Sequence, residues 1–368
     1  MLSRIRGINA IYLMHAIQGF GASLIWIFIP IYFLILGYTL AQVLVYLIIY
    51  YAVCGASAFL AIWIAKHTSL QWTIVIRYPL VLVFLGLIFL LDSINIPLFV
   101  IAIAGGLQNS IYWVPLNILF ARHAKENKMG EAVGKLIAFP KILTAISPLI
   151  GGFIMVKFGF NVLAIIAFAI FLISIIPLAR TKTLKTSFVF KFSEGVRLFK
   201  KYPKIFWAEM FDSIGGETRA YLWPIFIYLS LFSIEAVGAV STLMKITSIL
   251  FILFVGKMAD RFKKTKIIKF ASILLALLWI SCYFFQTEAY FYVISIIISF
   301  AMIMFVIPFT SLVNNTAKKD NLDEFFVFDE IPMAIGRIII MVLALIVATK
   351  LEISFIIAGL SYLYFLFL

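Results

Sequence analysis

Residues 235–286 read EAVGAVSTLMKITSILFILFVGKMADRFKKTKIIKFASILLALLWISCYFFQ. Two apolar runs, 235–257 and 267–286, each supply about the 20 residues that an α-helix needs to cross a hydrocarbon core. A short turn between them carries Asp260, Arg261, Lys263, Lys264 and Lys266. Outward from this pair the same alternation fills the chain, with further spans expected at 8–36, 40–65, 73–91, 96–120, 135–157, 159–179, 205–231, 288–312, 327–349 and 352–368. Hydrophobic residues make up 64% of the 368 and charged residues 12%, against about 45–50% and about 25% in soluble domains. The fold class is therefore an all-α membrane protein of about twelve transmembrane helices, and the bilayer is its solvent.

The formal charge of +14 would suggest nucleic acid in a soluble protein, but its distribution is topological. With the amino terminus inside, Lys157 and Lys350 alone fall on the outer side, and Lys141, Arg219, Lys245 and Arg337 lie within spans; the rest of the 30 Lys and Arg fall to cytoplasmic segments. That asymmetry places both termini in the cytoplasm and accounts for the basic balance without nucleic acid. Arg4 and Arg6 precede a run too long for a signal peptide, so the first span is expected to stay uncleaved. The last span closes on Leu368, which leaves a cytoplasmic tail beyond it open. Cys54 and Cys282 sit in apolar stretches and read as small packing residues rather than disulfide or metal ligands.

The longest polar segment, 180–204, divides the chain into six-span bundles at 1–179 and 205–368. It holds an amphipathic stretch, with Phe192, Val196, Leu198 and Phe199 among Glu194, Arg197, Lys200 and Lys201, expected to lie on the anionic inner leaflet. An internal repeat supports the division. The spacing that carries Pro30 to Pro224 also carries Gly21 to Gly215 and Ala65 to Ala259, and nearly the same spacing carries Pro115 to Pro308 and Pro140 to Pro332. Matching prolines in matching spans point to duplicated halves.

The turn Gly256-Lys257-Met258-Ala259-Asp260-Arg261-Phe262-Lys263-Lys264 resembles the G-x-x-x-D-R-x-x-[KR] loop signature of the major facilitator superfamily (MFS). Glycine there allows close helix packing, and Asp260 and Arg261 suit a charge-assisted latch. Ser147-Pro148-Leu149-Ile150-Gly151-Gly152 resembles the family's G-P-x-x-G-G element, associated with antiporters, although Ser147 replaces the first glycine; a kinked, tightly packed helix accounts for the same residues. The first-half counterpart of the signature reads Ile62-Trp63-Ile64-Ala65-Lys66-His67, with a base where an acid is expected. In the resembled family the signature loop of each half packs near the fifth span of the other. This implies a cytoplasmic gate of Gly256, Asp260 and Arg261 against the basic Arg122, Lys125, Lys128 and Lys135, and of Lys66 or His67 against the acidic loop at Asp320, Asp323, Glu324, Asp329 and Glu330.

Ionisable groups at bilayer depth cost about 2.5–3.5 kcal/mol each on insertion scales and usually carry function. Span seven is the richest, with Glu209, Asp212, Glu217 and Arg219, and at about 100° per residue all but Glu217 share one face. Asp212, then Glu217 and Glu209, are the candidate proton carriers, with Arg219 as counter-ion to Asp212 and His15 as a relay; a structural Asp212 to Arg219 pair is the alternative. In the resembled family spans one, four, seven and ten line the cavity, which makes Gln18, Gln108, Asn109, Tyr112, Trp113, Asn117 and Trp223 substrate-cavity candidates. Lys245 and Arg337 lie deep enough to meet an anionic substrate or the span-seven acids, whereas Lys141 and Glu330 are expected near cytoplasmic ends.

No metal cluster, phosphate-cradling glycine loop or nucleophile elbow appears, so no enzyme, cofactor or metal is expected. The reading is a monomeric secondary transporter of a small solute in the cytoplasmic membrane, working by proton-coupled efflux (antiport). Proton-coupled uptake (symport) of a polar metabolite stands second, and a membrane-embedded lipid-handling enzyme or non-transporting receptor is the alternative from another class.

Overall fold

The computed structural model describes residues 7–125, 128–179 and 190–368, with the side chains of residues 7, 8, 139, 140, 143, 253, 259 and 260 left aside. All of the regular structure among them is helical. Five helices fill the first four spans: Gly7–Ile25 with Phe28–Ile35, Leu40–His67, Leu70–Phe89 and Leu98–His123. Met129–Leu143 and Ser147–Ala179 supply spans five and six, the latter turning at Gly159, whose φ of 82° lies in the left-handed region that glycine tolerates. Span five therefore starts earlier than its apolar run and is broken within it. Pro203–Glu217, Thr218–Leu222 and Trp223–Leu231 form span seven, followed by Ile234–Arg261, Lys264–Phe284, Glu288–Ala317, Leu322–Ile346 and Ile353–Tyr362.

Hydroxyl caps set where several of these helices begin. Thr39, Ser69, Ser233 and Thr287 each accept an N–H from the first turn of the helix that follows, at 3.3, 3.1, 3.1 and 3.3 Å. Thr39 and Ser233 are related by the spacing that relates Pro30 and Pro224, so the repeat extends to its turns.

Packing repeats as well. A Cβ at Gly151 would run into the Leu24 carbonyl, and one at Gly336 into the Met210 carbonyl. The fifth span of each half is thus seated on the first by backbone contact that only glycine permits. Across the halves, Met129–Leu143 packs on Ile234–Arg261 and Leu322–Ile346 packs on Leu40–His67. Gly256 lies against Gly130 and Gly134 of span five.

Among the described residues eight helices are long and apolar enough to cross a membrane by length and composition alone. Span seven, span eleven, the final span and the helix Met129–Leu143 are not among them. Three of these four carry the buried charge described below, so hydropathy weakens where polar chemistry is held. Large apolar side chains such as Ile165, Leu250, Phe254, Leu277 and Phe284 stay exposed on the outside, as a lipid-facing surface requires.

At the face bearing the basic loops, Arg122 is paired with Asp323 and Lys318 donates to the Ala124 carbonyl, both across the halves. The amphipathic helix Phe192–Lys201 does not simply rest on a leaflet. Leu198 is fully buried, Gly195 is seated on the Phe328 ring, and Asp320 collects Lys201 at 2.7 Å, Arg197 at 3.2 Å and the Tyr202 hydroxyl. These bonds, Lys201 first and Tyr202 next, hold the Asp320 carboxyl down to about 2. Arg77, assigned from the sequence to the cytoplasmic set, is instead buried at 2% exposure inside the first half. Its Nε donates to Gln108 at 2.6 Å and its guanidinium lies 4.5 Å from the centre of the Tyr112 ring.

Candidate functional site

Three prolines build the site. A proline in a helix removes the bond to the carbonyl four residues earlier and crowds it. For Pro30, Pro148 and Pro224 those residues are Trp26, Thr144 and Ala220. Span one breaks at Trp26 and Ile27. Span five breaks between Leu143 and Ser147. Span seven widens into a π-turn over Thr218–Leu222, a distortion frequent at functional sites.

All three irregularities meet at one cavity of about 470 Å³ between the halves. Trp26, Trp113, Tyr221 and Trp223 form aromatic walls, and Lys141, Arg219 and Lys245 bring charge to it. Lys245 Nζ donates to Ser23 Oγ and, at 3.4 Å, to the Thr144 carbonyl, which Pro148 cannot reach with an N–H and which accepts the Ser147 N–H at 3.2 Å instead. The same carbonyl accepts the Ser147 hydroxyl at 2.9 Å, and Ser147 is also bonded to Ser23. The Ser-Pro element thereby supplies an anchor for a lysine from the other half. Lys141, expected to snorkel at a helix end, is directed into the cavity, within Coulombic reach of Arg219 and Lys245. Among the described residues no carboxylate lies within ion-pair distance of any of the three, and Arg219 Nε is buried without a hydrogen-bond partner.

The second cluster begins two residues before Arg219, at Glu217. The Tyr51 hydroxyl donates to Glu217 Oε2, and Arg337 Nε lies 3.3 Å from Oε1 in ion-pair contact without hydrogen-bond alignment. Arg337 Nη1 reaches Glu330 Oε2 at 3.4 Å and the Cys54 sulfur at 3.8 Å. Cys54 also accepts from Asn109 at 3.3 Å, so it is a polar contact as well as a packing residue. Glu209 is within Coulombic reach of Asp329, Asp212 and Glu330, and Asp212 of Arg219 and Arg337. Buried acids outnumber the arginines beside them.

The structure therefore distributes the candidates of the sequence over several settings. Trp113, Trp223 and Arg219 line the cavity; Gln18, Gln108, Asn109, Tyr112 and Asn117 are not among its lining residues. Gln108 and Tyr112 are engaged by Arg77, and Tyr112 OH lies 2.6 Å from His15 Nδ1. Glu217, Glu209 and Asp212 border the second cluster. At the gate, Glu324 accepts the Lys191 backbone N–H at 3.3 Å rather than Lys66, which is exposed and in no ion pair among the described residues, and His67 turns back to the Trp63 carbonyl at 2.7 Å. Arg261 borders a surface pocket on the basic face. The side chains of Asp260 and Pro140 lie outside what the structure describes.

Sequence reasoning passed over Tyr51, Arg77 and the pairing of Glu330 with Arg337. For the last a signal existed, since seven residues are close to two helical turns and place both on one face. Nothing local marks Tyr51.

No protein-family model matches the sequence, and no curated protein does. Solved structures do match along almost the whole chain. The E. coli fucose:proton symporter FucP superposes with a TM-score of 0.71 at 14% identity, covering 99% of this chain and 98% of that one. The same transporter, described as an MFS transporter in the outward conformation, gives 0.72 at 14% identity with the same coverage. The human organic anion transporter MFSD10 gives 0.72 at 9% identity, covering 100% and 99%. The chain has the MFS fold: two six-helix halves with the cavity between them.

Proposed function

From this fold and the two charge clusters bordering on span seven, we propose that the chain is a proton-coupled secondary transporter working by alternating access. The observation that carries the reading is one aromatic and polar cavity between the halves, reached by Arg219, with an acid-rich cluster beginning two residues away at Glu217. The cavity holds the solute near the midplane. The cluster has more carboxyl groups than guanidinium partners, and protons serve as its remaining counter-charge. By the charge distribution of its loops, the basic face and both ends lie in the cytoplasm.

Coupling follows from Arg219, which is within reach of Asp212 on one side and of the cavity on the other. A solute group that draws Arg219 to itself weakens the positive field at Asp212 and favours a proton there. Solute and proton then load together, which is symport rather than the antiport that the Ser147 to Gly152 resemblance suggested. That element is accounted for by the Thr144 break and the close contact of Gly151 with span one. The proton coupling named for FucP is in line with this reading. The halves rock as units, parting the Arg122 to Asp323 pair when the basic face opens.

Proteoliposomes loaded with the pH dye pyranine test this. A panel of sugars, amino acids and organic acids is added outside, one at a time. At least one solute acidifies the lumen, and Asp212→Asn reduces that signal by about an order of magnitude. Alkalinisation would establish antiport, and silence across the panel from folded wild-type protein would remove the coupling.

A further inference from the structure

The charged lining of the cavity is all of one sign. Lys141 comes from span five, Arg219 from span seven and Lys245 from span eight, and no described carboxylate lines the space with them. They are not topological charges, because they project into the interior rather than toward a headgroup region. Lys245 is fixed by two hydrogen bonds, to Ser23 and to the Thr144 carbonyl, which leaves its third proton free. Arg219 has a buried, unpartnered Nε. Lys141 makes no ion pair among the described residues and sits in the repulsive field of the other two.

Three cations from three helices converge in a site of low polarity only if something negative completes it. The remaining walls say what else that molecule carries. Trp26 is held from behind by Phe84 and Phe171 at 5.8 and 5.5 Å, and Trp113 by His15 and Tyr112 at 5.6 and 5.2 Å. Trp223 is fully buried among Trp279, Phe291 and Phe355, with its indole N–H on Ser295 at 2.9 Å, and backs the wall without offering a face. Trp26 and Trp113 are the rigid faces for stacking. A volume of about 470 Å³ is that of a site for an organic molecule rather than for an inorganic ion.

Resting on the transporter reading above, we propose that this cavity takes a small organic anion with a flat aromatic body, its acidic groups among Lys141, Arg219 and Lys245 and its ring against Trp26 and Trp113. With three cations at the site, a dianion binds more tightly than a monoanion, and a neutral isostere binds weakly.

The test uses the full chain in phosphatidylcholine nanodiscs and charge-matched naphthalenes. Saturable binding of tritiated 2-naphthoate is measured by scintillation proximity, with 1,5-naphthalenedisulfonate, 2-naphthamide and 2-naphthylmethylammonium as competitors. The disulfonate competes at a concentration at least about 10-fold below the amide, and the ammonium does not compete. Arg219→Gln and Lys245→Gln each weaken binding about 10-fold or more, whereas Lys245→Arg stays within about threefold. Equal competition by the amide, unchanged binding in the Lys141→Gln, Arg219→Gln, Lys245→Gln triple variant, or no saturable binding to folded wild-type protein would each overturn the proposal. If the variants do not fold, the ranking on wild-type protein alone decides. Binding without solute-driven proton movement would remove the transporter reading and leave this one, whereas proton-driven movement of a neutral solute that naphthoate and the disulfonate do not inhibit would do the reverse.

Discussion

Arg337 is the shared counter-ion of two buried acids, and its replacement by methionine has a calculable result. Its side chain is 13% exposed, against 16% for Glu217 and 4% for Glu330. Arg337→Met preserves much of the apolar volume but leaves both carboxylates without the guanidinium; Glu217 keeps only the Tyr51 hydroxyl. Removing one partner of a buried ion pair costs about 3–5 kcal/mol, because the charge left behind is uncompensated. At about 2–4 °C per kcal/mol for a unit the size of one half, thermal unfolding followed by tryptophan fluorescence should shift down by on the order of 10 °C. Adding Glu217→Gln and Glu330→Gln to Arg337→Met removes the charges that need a partner and should recover most of the loss, since a buried ion cluster replaced as a unit is often near neutral. An Arg337→Met protein that melts within about 2 °C of wild type, or a triple variant no more stable than the single, would refute the reasoning; the arginine would then be solvated, and the cluster would not be a closed electrostatic unit.

Pro224→Ala restores an N–H opposite the Ala220 carbonyl and allows the π-turn to close into regular helix. Melting temperature should hold or rise by the equivalent of about 1 kcal/mol, while solute-triggered lumenal acidification falls at least about fivefold, and unaltered acidification would show that the widened turn has no part in the cycle. Asp320 anchors the helix Phe192–Lys201. Its folded-state value of about 2 is depressed, so its contribution is complete above the ordinary aspartate range near 4 and is lost as pH falls through about 2. At a partly solvated site this is worth about 1 kcal/mol, so Asp320→Asn at neutral pH should raise maleimide labelling of a Leu198→Cys reporter about fivefold, and an unchanged rate would place the anchor elsewhere.

How far the sequence could be read depended on which force placed each residue. Span number followed from apolar runs because burying them in lipid outweighs everything local, and the halves were legible in prolines, whose effect on a helix is also local. The kinks at Pro30, Pro148 and Pro224 were thus visible, but their convergence on one cavity was not, since it needs the packing of three helices from two halves. Lys141 illustrates the limit. One turn or so from a helix end, the sequence allows it to snorkel; the break at Thr144 and the contact with span eight turn it inward instead. Arg77 illustrates another, because a basic residue near a span boundary reads as topological until Gln108 and the Tyr112 ring arrive from a neighbouring span.

The repeat also explains how the two clusters came to differ. The spacing that maps Pro30 onto Pro224 maps Ser23 onto Glu217 and Tyr51 onto Lys245. The bond from Lys245 to Ser23 and the bond from Tyr51 to Glu217 are therefore one contact seen twice, between the first span of one half and the second span of the other. Each copy is supported from the fifth span of its half, by Ser147 on Ser23 and by Arg337 on Glu217. In one copy a hydroxyl receives an ammonium, and the positive charge is left to face the cavity. In the other an acid receives a phenol, and the negative charge is left to an arginine. Both contacts cross the boundary between halves, so in the proposed alternating-access cycle neither survives a full rocking motion unchanged. On the transport reading proposed above, a solute that compensates Lys245 and a proton taken up in the acid cluster beside Glu217 act on equivalent joints of the same hinge, which gives solute and proton a common effect on the equilibrium between the two open states.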